Sequence, residues 1–410
     1  MIRERYYCGL DIGSQRIKAG ILKIKDIHTI ELIGVYERKT DGLKNASVSD
    51  LGELSECIHG TVHTLMKKTG IKLKEVQLGV GGELVDIRES RAVIPLIDRG
   101  SKIITTADIK KVNRQAHLLG LNVEEEVLHD LPQYYLVDDV DVALNPNGLY
   151  GRRLGIHSFM IIVNVNRIRN MMRAVHQAGY DVAHVFFSSY AASEIALNDQ
   201  ERLEGCILID IGSQSTRLLI FKEGNLKYFR KISSGGDACT HRIAQQLNLP
   251  FDLAEEIKKS YASVLSAEQD HAEEILVKRE NAYVPIKRGS IYQAIEPEIE
   301  SFLEGLQTVI HESGFSEHMN RGVVMIGGGS LLSGMMERIS QRTSHAVRLG
   351  KINIAAKRSL GNAAMFSPVV GLARSGFKKS FKYTFSSHNN HPRWGGHMIQ
   401  RVKELYQEYF

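Results

Sequence analysis

Two stretches decide how this chain is read: LDIGSQRIKAGILK, Leu10 to Lys23, and IDIGSQSTRLLIFK, Ile209 to Lys222, which share DIGSQ letter for letter at an offset of 199 residues. Each reads as a short apolar strand, a turn of small residues and a second apolar strand, so each predicts a β-hairpin with its tip at Gly13 or Gly212. A segment that returns half a chain later predicts two related halves.

Working outward, the buried-strand runs GIHSFMIIVNVN and VVMI alternate with amphipathic stretches such as RIRNMMRAVHQAG, GGDACTHRIAQQLN and EPEIESFLEGLQTVIHESG. That alternation predicts an α/β architecture. Between the repeats, VQLGVGGELVDIRES, ITTADIKKVNRQAHLLG with Thr106 as N-cap, and EEVLHDLPQYYLVDDV read as a small strand-and-helix insertion. ILVKRE and AYVPIKR are strand-like islands in the second half. Residues 374–392 are basic, polar and without periodicity, and read as a flexible linker.

The 410 residues, 43% hydrophobic and 24% charged, suit a globular chain of two to three domains. Cys8, Cys57, Cys206 and Cys239 form no CxxC pair, which argues against a disulfide framework or zinc finger and sets reduced cytoplasm as the default compartment. No apolar run reaches the ~18 residues of a spanning helix, and the N-terminus lacks an apolar signal region. The charge of +5 is concentrated near the C-terminus, so an extended nucleic-acid footprint is not expected, whereas a short basic segment suits an acidic membrane surface.

The hairpin tips are the first candidate site. Backbone N–H groups of Gly13, Ser14, Gly212 and Ser213 can converge on phosphate, Asp11 and Asp210 can hold water on a Mg²⁺, and Lys18 can neutralise phosphate charge. Gly327, Gly328 and Gly329 lie between a strand and a helix, where a ligand can approach the backbone closely. The GxGxxG dinucleotide pattern fails because Leu332 holds the third glycine place, and no GxxxxGK[ST] occurs.

Two DIGS hairpins followed by GGGS resemble the actin and heat-shock chaperone ATPase superfamily. Within it, VLHDLPQYYLVDD, NPNGLYGRRL, SSGGDACTHRIA, AEEIKKSYA and a terminal helix beginning at a tryptophan resemble the FtsA family of bacterial cell-division proteins. The resemblance covers essentially the whole chain. It implies a two-lobed, four-subdomain actin-like (ribonuclease H-like) fold: 1–81 with 158–190, an inserted SHS2 subdomain at 82–157, 191–232 with 312–373, and 233–311, followed by the linker and an amphipathic helix at 393–410. ATP and Mg²⁺ would lie in the central cleft, with Gly235, Gly236, Glu255 and Lys258 on the ribose and base side and Gly327 to Gly329 at the adenosine. The implied function is an ATP-binding protein that polymerises on the cytoplasmic face of the cell membrane, anchors FtsZ filaments through their C-terminal peptide at the division septum, and recruits later division proteins.

The second loop departs from the family's DIGGGT, since Ser213, Gln214 and Ser215 replace the last two glycines and the threonine, and Arg217 stands near a usually acidic place. Added side chains crowd the γ-phosphate, so a weak ATPase at most is expected. No catalytic residue is identified; Gln15 and Gln214 have suitable chemistry but read more simply as turn glutamines. At 100° per residue, Trp394, Met398, Ile399, Val402, Leu405, Tyr406, Tyr409 and Phe410 fall within an arc of about 160°, an in-plane membrane anchor by pattern. Lys378, Lys379 and Lys382 are expected to add salt-sensitive attraction to anionic lipid, and Lys278, Arg279, Lys287 and Arg288 to face the acidic peptide. The alternatives are an SHS2-containing adaptor of type IV pilus assembly, which would lack the terminal helix, and a small-molecule kinase, which would need a substrate-facing aspartate.

Overall fold

Both repeated stretches form antiparallel hairpins, Arg5–Ile12 with Arg16–Ile24 and Cys206–Ile211 with Thr216–Lys222, in a computed structural model. The structure describes residues 4–25, 29–97, 100–118, 121–265, 273–279, 282–352, 354–356 and 361–386. Each hairpin gains a third antiparallel strand, Ile30–Lys39 or Asn225–Ile232. On its other side lie two parallel strands, Glu75–Val80 and Asp181–Phe187 in the first sheet, Val323–Ile326 and Val347–Leu349 in the second. The two sheets thus share one strand order, apart from a short edge strand Ala355–Ala356 in the first. In register, Asp11 faces Lys18 and Asp210 faces Arg217, positions related by the same 199-residue offset.

The central strand Cys206–Ile211 is buried along its whole length, as a strand covered on both faces must be. One face of the first sheet is covered by the helix Leu51–Thr69, capped by the Asp50 side chain and ended by Gly70 in the left-handed region; Leu54, Ile58, Val62 and Leu65 form its buried stripe. The other face is covered by the helix Ala363–Ser386, whose Val369, Val370, Ala373 and Phe377 are buried. The expected flexible linker is therefore helix as far as Ser386. Arg374 donates to the Glu194 carbonyl at 2.8 Å and Lys378 pairs with the Glu194 carboxylate. Side-chain contacts missing from the polarity pattern hold this segment.

The insertion is a four-stranded sheet containing Val85–Pro95, Glu125–Val137, Asp141–Ala143 and Arg153–Asn164, with the helix Thr106–Leu118 packed on it. The strand Arg153–Asn164 pairs without a break from Arg153 with Pro95 to Val163 with Val85. A boundary after His157 would cut it, so the sheet of the insertion extends to Asn164. The helix is capped by Thr105 rather than Thr106: the Thr105 hydroxyl accepts from Asp108 N–H at 3.4 Å, the Thr105 N–H and hydroxyl donate to the Asp108 carboxylate at 3.0 and 2.7 Å, and Lys102 donates to its other oxygen at 2.8 Å.

Burial opposes the charge of Asp108, but Lys102 and the Thr105 donors pull its carboxyl down to about 2. A depressed carboxyl stabilises the fold above its unfolded pKa near 4 and loses that contribution as pH falls through its folded value. Asp108→Asn is expected to cost about 1–2 kcal/mol at neutral pH, with the deficit roughly halved by pH 3. Urea unfolding across pH 7 to 3 checks this, and a pH-independent deficit would refute it.

In the second lobe, the helix Arg288–Glu312 begins eight residues before the expected EPEIES start and runs through Pro297. Buried Ile291, Ala294, Ile295 and Ile299 extend its stripe upstream, and this packing outweighs the proline's preference for a helix start. The segments ILVKRE and AYVPIKR contribute the antiparallel pair Glu274–Arg279 and Ala282–Lys287.

Candidate functional site

The hairpin tips close by the same hydrogen bond, Gly13 N–H to the Arg16 carbonyl at 3.2 Å and Gly212 N–H to the Ser215 carbonyl at 3.0 Å. A Cβ at Gly13 would fall 2.8 Å from the Arg16 oxygen, and one at Gly212 2.9 Å from the Ser215 oxygen, so both turns require glycine. The tips line one cavity of about 630 Å³, within the range of small-molecule sites. Asp11, Gly13, Ser14, Gln15, Lys18, Asp210, Gly212, Ser213, Gln214, Gly235, Gly236, Glu255, Lys258 and Gly327 to Gly329 all line it. Ser215 does not, and lies buried.

Behind the tips, the helix Ser188–Ala196 presents two consecutive serines to the two aspartates. The Ser188 hydroxyl donates to Asp11 Oδ1 and the Ser189 hydroxyl to Asp210 Oδ2, each at 2.6 Å. Burial raises the Asp11 carboxyl above its usual range, against the opposing pull of Lys18 and Ser188. Neither serine stood out in the sequence, because SS between a strand and a helix is the ordinary composition of a helix start.

On the far wall, Gly236 N–H donates to the Gly212 carbonyl at 2.9 Å and Asp237 N–H to the Ser213 carbonyl at 2.8 Å, so the second loop rests on the start of the helix Gly236–Gln246. A Cβ at Gly235 would lie 2.6 Å from the Ser213 oxygen. Lys258 pairs with Glu255 at 2.6 Å and donates to the Gly236 carbonyl at 2.8 Å. Burial works against the charge of Glu255, yet Lys258 and Thr240 hold its carboxyl below the usual range. Among the described residues, side-chain contacts that cross between the walls include Gln15 Nε2 donating to Asp237, Lys39 pairing with Asp252 at 2.9 Å, and Lys231 with Glu83 at 2.9 Å. Gln15 thus holds the walls together, while Gln214 is an exposed turn residue.

The glycine turn does not start an α-helix directly. Gly329–Leu331 form one 3-10 turn, and the following helix begins at Met335. Gly327 has φ +87°, and a Cβ there would fall 2.4 Å from the Ile211 carbonyl oxygen. Its N–H donates to the Ala364 carbonyl at 3.2 Å. That carbonyl is left without its intrahelical donor by Pro368, four residues on, which carries no N–H.

A family model described as "Cell division protein FtsA" matches residues 207–371, and one described as "SHS2 domain inserted in FTSA" matches residues 82–162. The FtsA of Pseudomonas aeruginosa is 26% identical over 374 residues, 90% of this chain and 89% of that protein. The Escherichia coli FtsA is 25% identical over 379 residues, 90% of this chain and 89% of that protein. The chain belongs to the FtsA family. Among solved structures, the PilM–PilN type IV pilus biogenesis complex superposes with TM-score 0.65 at 17% identity, covering 90% of this chain and 98% of that one. MreB5 of Spiroplasma citri bound to ADP gives 0.55 at 12% identity, covering 93% and 98%. These likenesses identify an actin-like fold with an inserted SHS2 module.

A divalent metal is implied for an FtsA-type cleft, and the side chains here bear on whether it fits. Among the described residues no group of three or more His, Cys, Asp or Glu side chains converges. Asp11 and Asp210 are each engaged by a serine, and Arg217 stands 3.7 Å from Asp210 Oδ2. These residues, as arranged, do not fit a metal at Asp210. Arg217, legible in the sequence only as a departure from the family's loop, stands opposite Asp210; the 199-residue offset that carries Asp11 to Asp210 also carries Lys18 to Arg217. The anchor residues Trp394 to Phe410 lie outside the described residues.

Proposed function

We propose that this chain is an ATP-binding cell-division adaptor that polymerises on the cytoplasmic face of the membrane and tethers FtsZ filaments at the division site. The observation that carries the reading is the pair of equivalent glycine turns, each with an in-register aspartate and basic residue, facing one cavity. Convergent backbone donors and fixed cations are what a polyphosphate requires. The glycines at 235, 236 and 327 to 329, where side chains would collide with backbone or neighbouring groups or where the wall is bare, leave room for the nucleoside.

Partner roles divide by subdomain. Val140, Val142 and Leu144 are exposed on the insertion and support its use in self-contact along a filament. The 233–311 subdomain is assigned the FtsZ C-terminal peptide. There Arg288 already pairs with Glu273 at 2.6 Å, so its charge is engaged, whereas Lys287 is exposed; the side chains of Lys278 and Arg279 lie outside the described set. The peptide contact is accordingly expected to depend on Lys287 more than on Arg288.

The test is electron microscopy of the chain on anionic lipid monolayers with and without ATP, paired with titration of the FtsZ C-terminal peptide. Nucleotide-dependent polymers and saturable peptide binding are expected. Phosphoryl transfer to a small metabolite in a coupled assay, without polymers, would instead favour the kinase reading.

A further inference from the structure

We infer that Arg217 is a resident phosphate-binding cation of the second loop, the counterpart of Lys18 in the first, and that it fills at Asp210 the charge-balancing role of a divalent metal. The inference rests on the cleft being a nucleotide site. Asp11 faces Lys18 and Asp210 faces Arg217 across their hairpins, so each loop carries one carboxylate and one cation in the same register. Directly opposed residues of an antiparallel pair project to the same face. The four groups balance formally, two negative and two positive, before any ligand enters.

The path of Arg217 is built by the absence of side chains around it. A Cβ at Gly82 would fall 2.8 Å from its Cγ and Nε, one at Gly212 2.7 Å from its Nη1, and one at Gly81 3.5 Å from its Nη2. The side chain is 15% exposed and its Nε is buried with no partner, while Nη1 stands 3.7 Å from Asp210 Oδ2, beyond hydrogen-bond distance. Asp210 Oδ2 takes its hydrogen bond from Ser189 instead. Among the described residues none accepts a hydrogen bond from this guanidinium, although it lines the cavity. A desolvated guanidinium with unused donors beside glycine backbone is a receptor for a planar or tetrahedral oxyanion, and guanidinium to phosphate is a strong, bidentate pairing.

Without Arg217 these four positions would carry a formal charge of −1, which opposes an entering phosphate and favours a metal ion that offsets it. With Arg217, that opposition falls. Ion pairing to Asp210 alone would predict a loss of stability on substitution but no change in metal dependence.

The experiment is titration of the full chain with a fluorescent ATP analogue, in excess Mg²⁺ and in EDTA, for the wild type, Arg217→Met and Arg217→Lys. Wild-type affinity is expected to differ by no more than about threefold between the two conditions. Arg217→Met should become at least tenfold weaker in EDTA than in Mg²⁺, and Arg217→Lys should recover most of that loss. A wild type that loses tenfold or more in EDTA overturns the proposal without reference to any variant. So does an Arg217→Met protein whose metal dependence equals the wild type's. Saturable wild-type binding in Mg²⁺ alone leaves the cleft reading standing and removes only the role of Arg217; no binding in either condition overturns both.

Discussion

A chain ending at Ser386 will stay in solution when mixed with anionic liposomes that carry the full-length chain to the top of a density gradient. The missing segment holds Trp394, Met398, Ile399, Val402, Leu405, Tyr406, Tyr409 and Phe410 at helical spacing. Full burial of such a side chain is worth about 2 kcal/mol, so even a third of that over eight residues gives about 5 kcal/mol, a partition factor of several thousand. The structure sharpens the expected salt dependence. Lys378 is paired with Glu194, and Lys379 is partly buried with its ammonium 5.5 Å from the Phe186 ring centre, where burial lowers its pKa. These lysines serve the body of the protein, contrary to the role in lipid attraction expected for them. Replacing both by glutamine should leave flotation at low salt within about twofold of the wild type. Flotation of the truncated chain would remove the anchor from residues 387–410.

The second large effect is on stability. Gly371→Ala and Gly9→Ala are each expected to destabilise the chain by about 3 kcal/mol or more. A Cβ at Gly371 would fall 2.1 Å from the Ala191 carbonyl oxygen, and one at Gly9 2.0 Å from the Val369 carbonyl oxygen. Both obstacles are backbone, so no side chain can rotate away; the helix Ala363–Ser386 must lift off the sheet and its neighbouring helix. Gly305, inside the helix Arg288–Glu312, has open space where a Cβ would sit, with no neighbour within 4 Å, and Gly305→Ala should stabilise by about 0.5–1 kcal/mol. Chemical unfolding of the three variants checks the opposite signs. A Gly371→Ala protein as stable as wild type would show that the seam can open at little cost.

The duplicated hairpins were readable because a repeated pentapeptide needs no propensity argument, and the family followed from motifs spread over the whole chain. What escaped was set by tertiary contact. Ser188 and Ser189 acquire their role only when the strand Asp181–Phe187 delivers them between two aspartates that lie 177 and 21 residues away. The helix beyond Arg374 escaped because its lysines read as solvated, although Val369, Ala373 and Phe377 keep a buried four-residue spacing. Arg217 was visible as a departure from a motif, and its meaning emerged once the hairpin register set it opposite Asp210 just as Lys18 is set opposite Asp11.

The proline in the last helix has a mechanical consequence. By freeing the Ala364 carbonyl for Gly327 N–H, Pro368 welds the start of a 24-residue rod, about 36 Å long, to the floor of the cleft. A pull on Ser386 directed along the axis of that rod would load its packing against the sheet lengthwise. It meets the packed sheet in shear, where many contacts must slip together, rather than peeling them one at a time. Under such a pull the Gly327–Ala364 hydrogen bond would couple the helix start to the glycine turn.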